Sequence, residues 1–123
     1  MNTKYETGLK LIEQLHGGHS GGGIVEAFGS ISPNMLRMTA EWAFGDVLQN
    51  KILDLKTREM LTIASLIPQS LPGGLKAHIE SALVAGASKD EIIALIEHLA
   101  IYAGFPAASN AMLIAKEVFD KTA

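Results

Sequence analysis

Apolar residues recur at spacings of three and four along most of the chain, and alternation of period two is nowhere sustained, so the pattern is helical. Leu9, Ile12 and Leu15 predict a first helix over residues 3–15, closed by Gly17 and Gly18. The stretch HGGHSGGG at residues 16–23 reads as a loop. Ser32 before Pro33 reads as an N-cap with proline in the first helical position, and the face of Met35, Met38, Trp42 and Val47 carries that second helix to about Gln49. Asp54 opens a third helix bearing Leu55, Met60, Leu61, Ile63, Ala64 and Leu66, which Pro68 stops. Pro72 starts a fourth, ended by Gly86. Ser88 with Glu91 forms a capping box ahead of a fifth, Ile92 to Ala103, and a sixth runs from near Pro106 to about Asp120. The expectation is an all-α fold of about six helices, one domain over residues 1–123, without repeat or linker.

Composition narrows the function. A chain of 123 residues with 48% hydrophobic and 19% charged residues is long enough for a real core. Its net charge of -3 and scattered basic residues supply no footprint for a phosphate backbone, which argues against nucleic acid. No apolar run reaches the roughly 18 residues of a membrane span and no signal segment is visible, so the expected location is the cytoplasm. With no cysteine there is no disulfide, thiolate metal site or cysteine redox cycle.

The chemistry is sought among polar residues on apolar stripes. Leu55, Glu59, Thr62 and Leu66 put a carboxylate in line with apolar neighbours, and Leu75, His78, Ala82 and Leu83 do the same for an imidazole. A half-buried glutamate needs a partner, and an imidazole on the next helix is a fitting one. A purely structural Glu–His pair is the competing reading. Arg58 points about 100° around the helix from Glu59, away from direct neutralisation. His98, four residues before Tyr102, stands at the edge of the stripe of Ile92, Leu95, Ile96 and Leu99, where a hydrogen-bonded core histidine is the plainer reading. Met35, Met38, Trp42 and Phe44 read as core, with a pocket wall as the alternative.

The segments DLKTREMLTIASL, LKAHIESALVAGASKDEI and HLAIYAGFPAASNAMLIAKEVF, with EWAFGDVL upstream, resemble the carboxymuconolactone decarboxylase family over roughly residues 5–120. The resemblance implies a compact all-α subunit that assembles into trimers or hexamers, and the alanines at 107, 108, 111 and 115 would allow close helix approach. Glu59 and His78 match the glutamate and histidine of the alkylhydroperoxidase D branch of the superfamily. Leu71 and Gly74 stand at its two cysteine positions and Gly73 at its intervening histidine, which excludes thiol peroxidase chemistry and favours the dithiol-less decarboxylase branch.

The implied reaction needs no cofactor. In a γ-carboxymuconolactone the electrons of the breaking C–C bond flow through the conjugated C=C to the lactone oxygen, so the protein has to hold the carboxylate, stabilise the oxyanion and protonate the α-carbon. The resemblance makes His78 the proton donor or oxyanion partner, with Glu59 orienting it or relaying the proton. His98, Tyr102, His19, Trp42 and Lys51 are the candidate substrate-binding residues.

Two features depart from the family pattern. His19 matches a Gly-x-x-His histidine of related decarboxylases, but the glycine run around it is expanded, and a connector or a substrate-touching lid both fit. His16 and His19, lacking an acidic or thiol ligand nearby, make a poor metal site. Where relatives carry a Trp-x-Arg-Pro-Gly-type stretch this chain reads VLQNKILD, with Leu48, Asn50 and Lys51 there, so Lys51 would replace an arginine as a point charge. The loop IPQSLPGG also reshapes the approach to His78. Decarboxylation of a small carboxylated ring, another small-molecule reaction on the same pair, and a non-catalytic oligomeric binding protein are the three functions compatible with these residues.

Overall fold

The structure is a computed structural model that describes residues 2–122. All regular elements among them are helical, as expected, and they fall into two compact units divided after Asp54. None of these helices is long and apolar enough to cross a membrane.

The first unit holds α1 (Lys4–His16), α2 (Ile24–Ile31), α3 (Pro33–Arg37), a π-helical segment Met38–Phe44 and a short 3-10 turn Val47–Gln49. Thr3 caps α1 by accepting the Glu6 N–H at 3.1 Å. The helix buries Leu11, Ile12, Leu15 and His16, so that of the expected face Ile12 and Leu15 lie inside and Leu9 is partly covered. It lies against the π-helical segment so closely that a Cβ on Gly8 would sit 1.6 Å from the Ala40 carbonyl oxygen, and one on Gly45 2.1 Å from that of Lys4. Only glycine permits this contact.

One helix here has no counterpart in the sequence reading, and one expectation is corrected. Residues 24–31 form α2; its cap, Gly23, gives no side-chain hydrogen bond, so no capping signal marked its start. The second helix does not run unbroken to Gln49, because it widens into π geometry at Met38. With i→i+5 bonding the three-and-four spacing no longer stacks Met35, Met38 and Trp42 on one inward face. Ala40 is buried instead, Phe44 is half-buried, and Trp42 is 63% exposed in this chain.

The second unit holds α4 (Leu55–Gln69), α5 (Pro72–Val84), α6 (Lys89–Tyr102) and α7 (Phe105–Lys121). Its core is built from Ile63, Ile67, Leu75, Ile79, Ile92, Ile96 and Val118, interleaved with Ala82, Ala111 and Ala115. Each large aliphatic fully removed from water there contributes about 1.5–3 kcal/mol. The alanine seam of α7 thus faces its own unit's core.

The ends of these helices follow their local chemistry. Pro68 does not stop α4, which continues to Gln69; so near the end the proline forgoes a single backbone hydrogen bond. Gly86, at φ 105°, turns the chain after α5 while its N–H reaches the Leu83 carbonyl and that of Ala87 the Ala82 carbonyl, a Schellman closure. The expected capping box is present in full, with Ser88 accepting from the Glu91 N–H at 3.0 Å and Glu91 from the Ser88 N–H at 2.9 Å. Glu91 also pairs with Lys56 at 2.7 Å, tying the start of α4 to the start of α6.

Candidate active site

In α4 the buried positions are Glu59, Ile63 and Ile67, at intervals of four, so the carboxylate occupies the first step of an otherwise aliphatic stripe. In α5 the stripe is Leu75, Ile79 and Ala82, and His78 stands at its margin. The two helices are joined by a short turn through Ser70, which places these stripes face to face. His78 Nδ1 donates to Glu59, 2.8 Å from one carboxylate oxygen and 3.2 Å from the other. Both hydrogen bonds of the Glu59 side chain go to this one ring.

Burial is unequal within the pair. The Glu59 side chain is 7% exposed and that of His78 25%, so the carboxylate sits behind the imidazole. A carboxylate at that depth would be costly without a partner, and Nδ1–H provides one. The bond also fixes the ring: with Nδ1 on the carboxylate, Nε2 is the nitrogen turned away from Glu59, and it is the one suited to meet a reacting group. A shallow, oriented imidazole backed by a buried carboxylate can deliver a proton or hold an oxyanion.

His98 and Tyr102 lie elsewhere. They stack at 5.0 Å between ring centroids, tilted by 43°, in the last turns of α6. With Leu95 and Leu99 they form one wall of an apolar pocket of about 440 Å³, whose other wall is Thr57, Met60, Leu61 and Ala64 of α4. At about 100° per residue the α4 wall is centred about 150° around that helix from Glu59. The pocket therefore opens on the opposite side of α4 from the Glu59 carboxylate. The α4 wall carries helical spacing of its own, but only the pairing of α4 with α6 turns it into a pocket, and no local signal announces that pairing.

In the first unit His19 is engaged within its own loop. Nε2 donates to the Leu15 carbonyl and Nδ1 accepts the Gly21 N–H at 3.4 Å. Its ring meets that of the buried His16 edge-on at 5.6 Å, and His16 meets Phe44 likewise at 5.9 Å. The glycine-rich loop is thus tied down by its histidines. Trp42 is exposed on the π-helical segment, and Lys51 is exposed in the turn that follows the 3-10 element.

A profile of the carboxymuconolactone decarboxylase family matches residues 33–117. The chain belongs to this family. Over 116 residues it is 30% identical to the 4-carboxymuconolactone decarboxylase of Acinetobacter baylyi, covering 94% of this chain and 87% of that protein. It is 32% identical over 83 residues to the nitrosuccinic acid decarboxylase of Metarhizium robertsii, covering 68% of this chain and 58% of that one. An uncharacterised Paracoccus denitrificans protein is 36% identical over 92 residues, covering 73% and 66% respectively. Decarboxylation is the reaction named for both relatives with an assigned activity.

Within this carboxymuconolactone decarboxylase fold, Leu71 caps α5 and Gly74 lies in its first turn, one turn ahead of His78. With leucine and glycine there and no cysteine in the chain, the turn carries no thiol.

Proposed function

We propose that this chain is a cofactor-independent decarboxylase of a small carboxylated lactone of the γ-carboxymuconolactone type, with His78 as proton donor and Glu59 as the group that orients it. The observation that carries this reading is the bifurcated hydrogen bond from His78 Nδ1 to the buried Glu59 carboxylate. Family membership and the Acinetobacter relative support the reaction class.

The bookkeeping of the step is simple. The C–C bond to the leaving carboxylate breaks, CO2 departs, and the electron pair passes through the conjugated C=C to the lactone carbonyl. A proton from His78 Nε2 then adds to the α-carbon and closes the product, while Nδ1–H stays on Glu59. The lactone itself is the electron sink, so the protein supplies orientation, an oxyanion partner and the proton.

The relative named for nitrosuccinic acid favours a second reading, the same pair acting on another small carboxylate. There a nitro group beside the scissile bond would accept the electrons as the lactone carbonyl does. Lys51, His19 and Trp42 are proposed as substrate contacts on their sequence positions, Lys51 as a point charge for a carboxylate. A homo-oligomer, trimer or hexamer, is proposed as the working assembly.

The test is the ultraviolet decay of γ-carboxymuconolactone generated in situ, for wild type, His78→Gln and Glu59→Gln at equal oligomeric state. Loss of general-acid catalysis is expected to slow His78→Gln by about 10²–10⁴-fold, with a smaller loss for Glu59→Gln. Unchanged turnover in His78→Gln would overturn the assignment. A folded, oligomeric wild type inert toward the lactone but active on a nitro dicarboxylate would move the proposal to the second reading.

A further inference from the structure

We propose that the pocket between α4 and α6 is a second ligand site, separate from the Glu59–His78 pair, that takes a small planar aromatic carboxylate. The inference is independent of the reaction proposed above. It begins from size: about 440 Å³ lies within the range of roughly 300–1,000 Å³ typical of small-molecule pockets.

The walls specify an aromatic ring. Met60 and Leu99 offer a polarizable thioether and a branched aliphatic surface, and the small Ala64 leaves width between the helices. The tilted pair of His98 and Tyr102 adds an aromatic wall against which another ring can pack edge to face.

The polar groups specify the substituent. His98 and Tyr102 contact each other through their rings and make no hydrogen bond to the described residues, so an imidazole N–H and a phenol O–H are available on one flank. Among the described residues no acidic side chain lines the pocket. Glu97, next to His98 in sequence, lines instead the separate pocket between α6 and α7, with Phe105 and Met112. Two donors on an apolar slot, with no carboxylate to repel an anion, match a ring bearing a carboxylate better than a neutral or cationic one.

The experiment is a titration of the isotope-labelled full chain with benzoate, followed residue by residue by nuclear magnetic resonance. Saturable shifts are expected at the amides of Leu61, Leu95 and Tyr102 and at the His98 ring. Benzamide should bind about tenfold more weakly, since hydrogen bonds to a charged group are roughly twice as strong as those to a neutral one. Ala64→Trp, which fills the slot, should abolish the shifts. Tyr102→Phe leaves packing untouched and should weaken benzoate about tenfold. His78→Gln should bind benzoate as wild type does, whatever it does to turnover.

Three outcomes would overturn the proposal. One is a drift that never saturates. Another is a set of shifts confined to α5 around His78 and lost in His78→Gln, which places benzoate at the catalytic pair alone. The third is a wild type that ignores benzoate while Ala64→Trp sediments as a smaller species, which shows that a second copy of the chain fills the slot.

Discussion

At the scale of single residues, the Glu59–His78 pair joins stability to the proposed chemistry. Glu59 spends both its hydrogen bonds on one imidazole, so removing that imidazole strands a buried carboxylate. His78→Leu is expected to cost about 1–3 kcal/mol in denaturant unfolding, the desolvation penalty of an unsatisfied buried group. Glu59→Leu combined with His78→Leu should recover most of that loss, because two apolar side chains leave nothing unpaired. A double variant as unstable as the single one would show that the cost lies in packing. The pair was legible in sequence because each member interrupts an apolar stripe. The surroundings of His19 and His98 were not, since what decided them was a carbonyl four residues back for one ring and a facing helix for the other.

At the scale of elements, capping and close approach dominate. Glu91 closes the capping box and pairs with Lys56, and the Lys56 hydrogen bond first, then that of the Ser88 backbone, hold its carboxyl below the ordinary value of 4.5. A group whose folded value is depressed stabilises the fold when ionised, so its contribution is present at neutral pH and is lost as pH falls below 4.5 toward the folded value. Glu91→Gln should therefore lower stability at neutral pH and converge on wild type in acid, as urea midpoints at several pH values will show. A gap that stayed constant with pH would argue against the ionised carboxylate as the source. Gly8→Ala is predicted to be more severe. Its Cβ would fall 1.6 Å from the Ala40 carbonyl oxygen, so α1 and the π-helical segment must separate, at about 3 kcal/mol or more. A thermal midpoint within a few degrees of wild type would contradict that.

At the scale of the whole molecule, the proposed trimer or hexamer predicts a sedimentation mass a multiple of 13.1 kDa, three or six chains at micromolar protein. A species of one chain would remove the oligomer from the proposal. The exposed Ile101 and Phe105 near the α6–α7 turn are the kind of apolar surface that an assembly covers. What the sequence by itself determined was local: helical class from periodicity, the caps at Ser32, Ser88 and Gly86, the proline starts of α3, α5 and α7, and the absence of thiol chemistry. These depend on neighbours within one or two turns, which a linear reading contains. Tertiary structure alone decided the π-helical segment that turns Trp42 outward, the inward alanine seam of α7, the unequal depth of Glu59 and His78, and the pocket that α4 and α6 make together. Each depends on which helix faces which, and that is set by the packing of whole stripes rather than by any residue's neighbours along the chain.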